Sequence, residues 1–114
     1  MSLRVSALLL AVRVLSASNF ETVVKIDSGL VSGVGSGTAV RSYKGIPFAA
    51  PPVGDLRWKA PQPVKPWSGI HVANEYPKNC PQFPFVPGPQ SEDCLGLNVW
   101  TPARSPSERL PVMV

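Results

Sequence analysis

Charge, histidine and cysteine are all scarce in this sequence: 16% of its 114 residues are charged, one is His and two are Cys. Two Cys and one distant His do not complete a tetrahedral zinc shell, so no metal site and no cofactor is expected. No G-x-S-x-G is present. Ser36 has Val34 and Thr38 two residues away, and Ser28, Ser32 and Ser68 fail in the same way, so the chain holds no nucleophile elbow and no catalytic residue is assigned in it. There is no N-x-S/T acceptor for glycosylation. The one apolar run, Val5 to Val12, is too short for a bilayer, which requires about 20 residues, so no transmembrane segment is expected.

Proline, by contrast, is abundant. The 14 Pro and 9 Gly make about a fifth of the chain, and each Pro removes a backbone donor, which argues against a helix bundle. Val, Leu, Ile, Phe, Trp and Tyr nevertheless recur throughout and net charge is only +4, so the composition is not that of a disordered chain. It fits extended segments joined by Pro-fixed loops within one domain at most. The start, Met1-Ser-Leu-Arg4 followed by Val5 to Val12 and the small residues Ser16-Ala17-Ser18, reads as a signal peptide over residues 1–18 and places the protein outside the cell or in the periplasm. The alternative is an ordinary amphipathic leader, which Arg13 suits better. Without residues 1–18 the chain has nine Lys/Arg against seven Asp/Glu, scattered singly, so nothing tracks a phosphate backbone and nucleic-acid binding is excluded.

From Thr22 to Val31 the residues alternate, Val24 and Ile26 against Lys25 and Asp27, the period of a half-buried strand. Gly33, Gly35 and Gly37 interrupt it, and Thr38 to Ile46 resumes a strand pattern, which predicts a hairpin around a Gly-rich turn. That turn lacks the Lys-Ser/Thr of a phosphate-binding loop. Residues 47–93 carry eleven of the fourteen prolines and are predicted to wrap the surface of something larger than the chain supplies. Leu95, Leu97 and Val99 alternate with Gly96, Asn98 and Trp100 in a strand that Thr101-Pro102 ends. Leu110 to Val114 begins another apolar strand, and its abrupt end predicts a truncated C-terminus.

Cys80 and Cys94 enclose thirteen residues. A disulfide across such a loop stabilises by about 3 kcal/mol in the chain-entropy model; the alternative is two free buried thiols. Glu92 and Asp93 are neighbours in an extended segment, point to opposite sides and so do not flank one bond as a glycosidase pair would. Pairing with an Arg, Arg57 being the candidate, is the role expected of them. His71, flanked by loop signals, reads as an ordinary surface residue.

Two blocks then resemble a known family. Val40-Arg-Ser-Tyr-Lys-Gly-Ile-Pro-Phe-Ala-Ala-Pro-Pro-Val-Gly-Asp-Leu-Arg-Trp58, followed by Ala60-Pro61 and Pro66-Trp67-Ser68-Gly69, is one, and Ser91-Glu-Asp-Cys-Leu-Gly-Leu-Asn-Val-Trp-Thr-Pro102 is the other. Both are similar to the type B carboxylesterases, the group that contains the cholinesterases. The resemblance covers residues 19–114 and implies an α/β class: the N-terminal portion of an α/β-hydrolase fold, made of a β-hairpin, a Pro-rich wrapping segment and the first sheet strands. It implies that Cys80 pairs with Cys94 near the mouth of a gorge and that Glu92 forms a buried structural ion pair with Arg57. Gly96, where many relatives have Tyr, reads as a modest change. Residues 81–93 hold Phe83 and Phe85 but not the Trp with which cholinesterases attract a quaternary ammonium, so choline specificity is not implied. The implied partner is a small-molecule carboxylic ester, hydrolysed in the parent enzyme by a Ser nucleophile, a His base, an acid and a Gly-rich oxyanion hole. The H-G-G-G oxyanion segment of relatives follows shortly after the strand that begins at Leu110, so the 114 residues alone are expected to be inactive. The alternative is a non-catalytic, cholinesterase-like adhesion or binding protein, since some relatives keep the fold and lack the nucleophile.

Overall fold

The computed structural model describes residues 22–35, 39–83, 86–105 and 107–114. The leader assigned to residues 1–18, the tip of the Gly-rich turn at 36–38 and Phe85 lie outside the described residues.

The first stretch read as one strand is two. β1 (Val23–Ile26) turns through Asp27-Ser28 into β2 (Gly29–Ser32), with Val23 opposite Ser32 and Ile26 opposite Gly29. Asp and Gly around a two-residue gap are the residues such a turn selects, and they outweigh the alternation that ran through them. Trp67 covers this turn: its backbone N–H donates to Ser28 O at 2.9 Å and its indole Nε1–H to Leu30 O at 2.9 Å. The indole lies where a side chain at position 29 would be, since a Cβ there would stand 2.5 Å from Trp67 Nε1.

Two short strands follow. β3 (Val34–Gly35), from within the Gly-rich stretch read as a turn, pairs antiparallel with β4 (Arg41–Pro47), whereas the 22–31 stretch expected to form that hairpin lies in the other sheet, because its own two-residue turn folds it back on itself. Beyond the Pro-rich stretch, β5 (Ile70–Val72) lies parallel to β2, Leu30 opposite Ile70 and Ser32 opposite Val72, and the order of the first sheet is β1-β2-β5. β6 (Gly96–Thr101) pairs antiparallel with β4 from Arg41 opposite Thr101 to Pro47 opposite Gly96, giving a second sheet β3-β4-β6.

β4 is bent by a bulge between Tyr43 and Ile46. Gly45 sits in it at φ +71°, and a Cβ there would come within 2.7 Å of the Glu75 carbonyl oxygen. A bulge takes one residue out of the ladder; the freed Gly45 N–H donates instead to Asn98 Oδ1 on β6 at 2.9 Å. Directly beside it, a Cβ on Gly96 would meet Pro77 Cβ at 2.8 Å. A Tyr at position 96 is therefore not the modest change expected, because in this chain Pro77 occupies the space the side chain would need.

The sheets meet at a small core of Val31 from β2, Tyr43 from β4 and Ala73 just after β5, each at most 4% exposed, with Ile26, Ile46 and Trp67 packed around them. Burying a Val side chain contributes about 1.5–3 kcal/mol, so this contact joins the two sheets firmly although it is small. The Tyr43 hydroxyl is buried in it with no hydrogen-bond partner among the described residues.

Between β4 and β5 the described chain contains a single 3₁₀ turn, Gly54–Leu56, as the proline density requires. A type II turn follows over Leu56–Lys59, closed by Lys59 N–H donating to Leu56 O at 3.2 Å. The strand expected at Leu110–Val114 is absent. These residues are exposed, and no described strand runs beside them to supply a ladder, without which an apolar run does not become a strand.

Candidate functional site

Four of the residues singled out in the sequence, Cys80, Cys94, Glu92 and Arg57, meet at the loop between Cys80 and Cys94. The two sulfurs are bonded, with the Cα atoms 5.1 Å apart. Just outside the bridge a second closure lies at Asn79: its backbone N–H donates to Pro89 O at 3.0 Å, its carbonyl accepts from Ser91 N–H at 2.9 Å, and its side-chain amide donates to Pro87 O at 3.1 Å. Prolines cannot donate but retain a carbonyl, so one Asn gathers a Pro-rich loop by its acceptors. Gln90 Oε1 accepts from Gln82 N–H across the same loop at 3.4 Å. Asn79 was not legible as a site residue; its one signal is an isolated Asn immediately before a Cys in a Pro-rich run. Phe83 is carried on this loop and is 78% exposed.

Arg57 Nη2 donates to Glu92 Oε2 at 2.5 Å, linking the turn of the wrapping segment to the segment that carries Cys94. Among the described residues the burial expected of this pair is not present: the side chains are 52% and 41% exposed. Arg57 projects from a surface turn that no described element covers, so neither charge is fully desolvated. The hydrogen bond from Arg57 holds the Glu92 carboxyl below its ordinary 4.5 against a weaker effect of desolvation, with the charge of Arg57 adding to it; Glu92 in turn raises Arg57. A lowered carboxyl pKa stabilises the fold above its ordinary value, and this contribution is lost as pH falls through the folded-state value. Glu92→Gln is thus expected to lower the melting temperature slightly at neutral pH, and the gap to the parent protein to close in acid, as measured by thermal unfolding across a pH series; a gap that widens in acid would contradict the assignment.

Asp93 N–H donates to Ser91 Oγ at 3.1 Å, apart from the ion pair. His71 is not a free surface residue. It lies in β5 opposite Val31, half-buried, with Nε2 3.3 Å from Gly45 O and its ring 5.3 Å from that of Trp67. The loop signals around it concealed a strand whose partner is distant in sequence. This imidazole ties the bulge of β4 to the first sheet. Among the described residues no group of three or more His, Cys, Asp or Glu could hold a metal ion, and no helix is long and apolar enough to cross a membrane. What the contacts show is a loop shaped by the Cys80–Cys94 bridge and by Asn79 and anchored by the Arg57–Glu92 pair.

The model of the carboxylesterase family matches residues 21–114. A probable cholinesterase of Acanthamoeba polyphaga mimivirus is 46% identical over 117 residues, covering 94% of this chain and 20% of that protein. Carboxylesterase 1E of Mus musculus is 41% identical over 106 residues, covering 79% of this chain and 19% of the relative. Among solved structures, a PNB esterase superposes with a TM-score of 0.71 at 44% identity, over 80% of this chain and 19% of its own. The chain thus spans about a fifth of the length of the relatives it matches.

Proposed function

This chain belongs to the carboxylesterase family and has the strand-rich N-terminal region of its α/β-hydrolase fold, and from that premise we propose that it is the N-terminal part of a serine carboxylic-ester hydrolase. The parent enzyme hydrolyses small carboxylic esters by acyl transfer through a Ser, a His and an acid that lie outside these 114 residues. The observation that carries the reading is the match over residues 21–114 to a family of ester hydrolases together with the anchored loop at Cys80–Cys94. Within the enzyme, residues 19–114 supply the edge of the fold. The disulfide and the Arg57–Glu92 pair hold the loop in place, and they stabilise without reacting. Residues 1–18 direct export, which the disulfide supports, since such bonds persist in oxidising compartments.

The test is hydrolysis of a short-chain nitrophenyl ester by the product of the whole coding sequence and, separately, by the 114-residue chain. The whole product is expected to turn over the ester and to lose activity with a serine-directed phosphonate; the short chain is expected to be inactive. A folded whole product that neither hydrolyses ester nor takes the label would overturn the reading in favour of a non-catalytic binding protein. Turnover by the short chain that survives repurification would overturn its second half.

A further inference from the structure

Trp58 occupies the third position of the Leu56–Lys59 turn, where backbone at φ +63° is required and Gly is the usual residue. The residue before it has φ −61° and ψ 133°, as a type II turn demands. It is the one non-glycine residue with positive φ among the described residues, and its side chain is 97% exposed. A bulky side chain in left-handed backbone persists only where something outside the residue fixes it. Here the turn is fixed from one side, by Arg57 bonded to Glu92 and by Arg57 N–H donating to Gly54 O at 3.1 Å. Nothing described covers the indole itself. Phe48 and Val53, which precede the same turn, are also large apolar residues left exposed.

We propose that Trp58 is a docking anchor: its indole inserts into an apolar pocket on the remainder of the same hydrolase domain, and the Arg57–Glu92 pair positions the turn that presents it. This rests on the reading of the chain as part of a longer ester hydrolase. The relatives are about five times longer than the matched segment, so the rest of the domain is the surface available to seat a ring of this size. The charge of Arg57 is matched by Glu92, which lets its neighbour enter an apolar contact without burying an unpaired charge. An aromatic side chain at the centre of a desolvated contact is the usual anchor of such interfaces.

The experiment compares the whole protein with its Trp58→Gly and Trp58→Phe variants by thermal unfolding. Gly relieves the left-handed backbone and removes the ring; Phe keeps a ring and the backbone. As an anchor, Trp58→Gly lowers the melting temperature by at least about 3 °C, and Trp58→Phe falls between it and the parent. A Trp58→Gly protein as stable as the parent, or more so, overturns the proposal and leaves the ring free for an external partner. If Trp58→Gly does not accumulate folded, the fluorescence difference between parent and Trp58→Phe decides: a blue-shifted, acrylamide-protected contribution is expected, and a solvated one overturns the anchor. Ester turnover by the parent is read separately, so failure of the enzymatic reading and failure of the anchor are distinguishable.

Discussion

Replacing both Cys80 and Cys94 by Ala in the whole protein is expected to lower its unfolding free energy by about 3 kcal/mol, the loop-closure entropy of a ring of this size. The effect acts mainly on the unfolded chain. In the folded state Asn79 still clasps the loop through Pro87, Pro89 and Ser91, so the native geometry outlasts the bridge. Urea unfolding should show a lower midpoint, with a denaturant dependence equal to or steeper than the parent's because the unreduced unfolded state is the more compact one. An unchanged midpoint would mean that the bridge constrains nothing in the unfolded chain. Asn79→Ala should cost about 1 kcal/mol on its own, the usual worth of a lost side-chain hydrogen bond, and less in the presence of the bridge than in its absence.

The second large effect is expected at Gly45. Gly45→Ala meets two penalties at once: a left-handed φ of +71° and a Cβ 2.7 Å from the Glu75 carbonyl oxygen, which belongs to backbone and cannot swing aside. Relief requires β4 to shift against the 74–77 segment, where Pro77 already fills the space over Gly96. The expected cost is about 2–4 kcal/mol. Gly54 provides the control, since it has φ +55° but nothing within 4 Å of its added Cβ. Gly54→Ala should therefore show the backbone penalty alone, on the order of 1 kcal/mol. Equal urea midpoints for the two variants would contradict the account of the bulge.

These two positions also show what the sequence makes legible. The blocks at residues 40–58 and 91–102 carry the family resemblance because they are long and ordered, and they form β4, the turn that presents Arg57, and β6. Local alternation located β6 to within a residue at its start. It failed at Asp27-Ser28, where a two-residue turn interrupts an apparent strand, and at His71, whose strand is defined only by β2, about 40 residues earlier. A parallel pairing of that separation leaves no local periodicity. The bulge is hidden likewise, because Gly45 is one more Gly in the sequence until Glu75 and Asn98 are brought against it. The exposure of the Arg57–Glu92 pair is a matter of which elements cover a turn, and no spacing along the chain encodes that.

The central claim, that this chain is the opening segment of an active serine ester hydrolase, is tested most directly by reading the coding sequence beyond the codon for Val114. The account predicts an open frame that reaches an H-G-G-G segment soon after the Leu110–Val114 stretch and a G-x-S-x-G elbow further on. A stop codon directly after Val114, or a continuing frame in which the elbow serine is replaced, would contradict it.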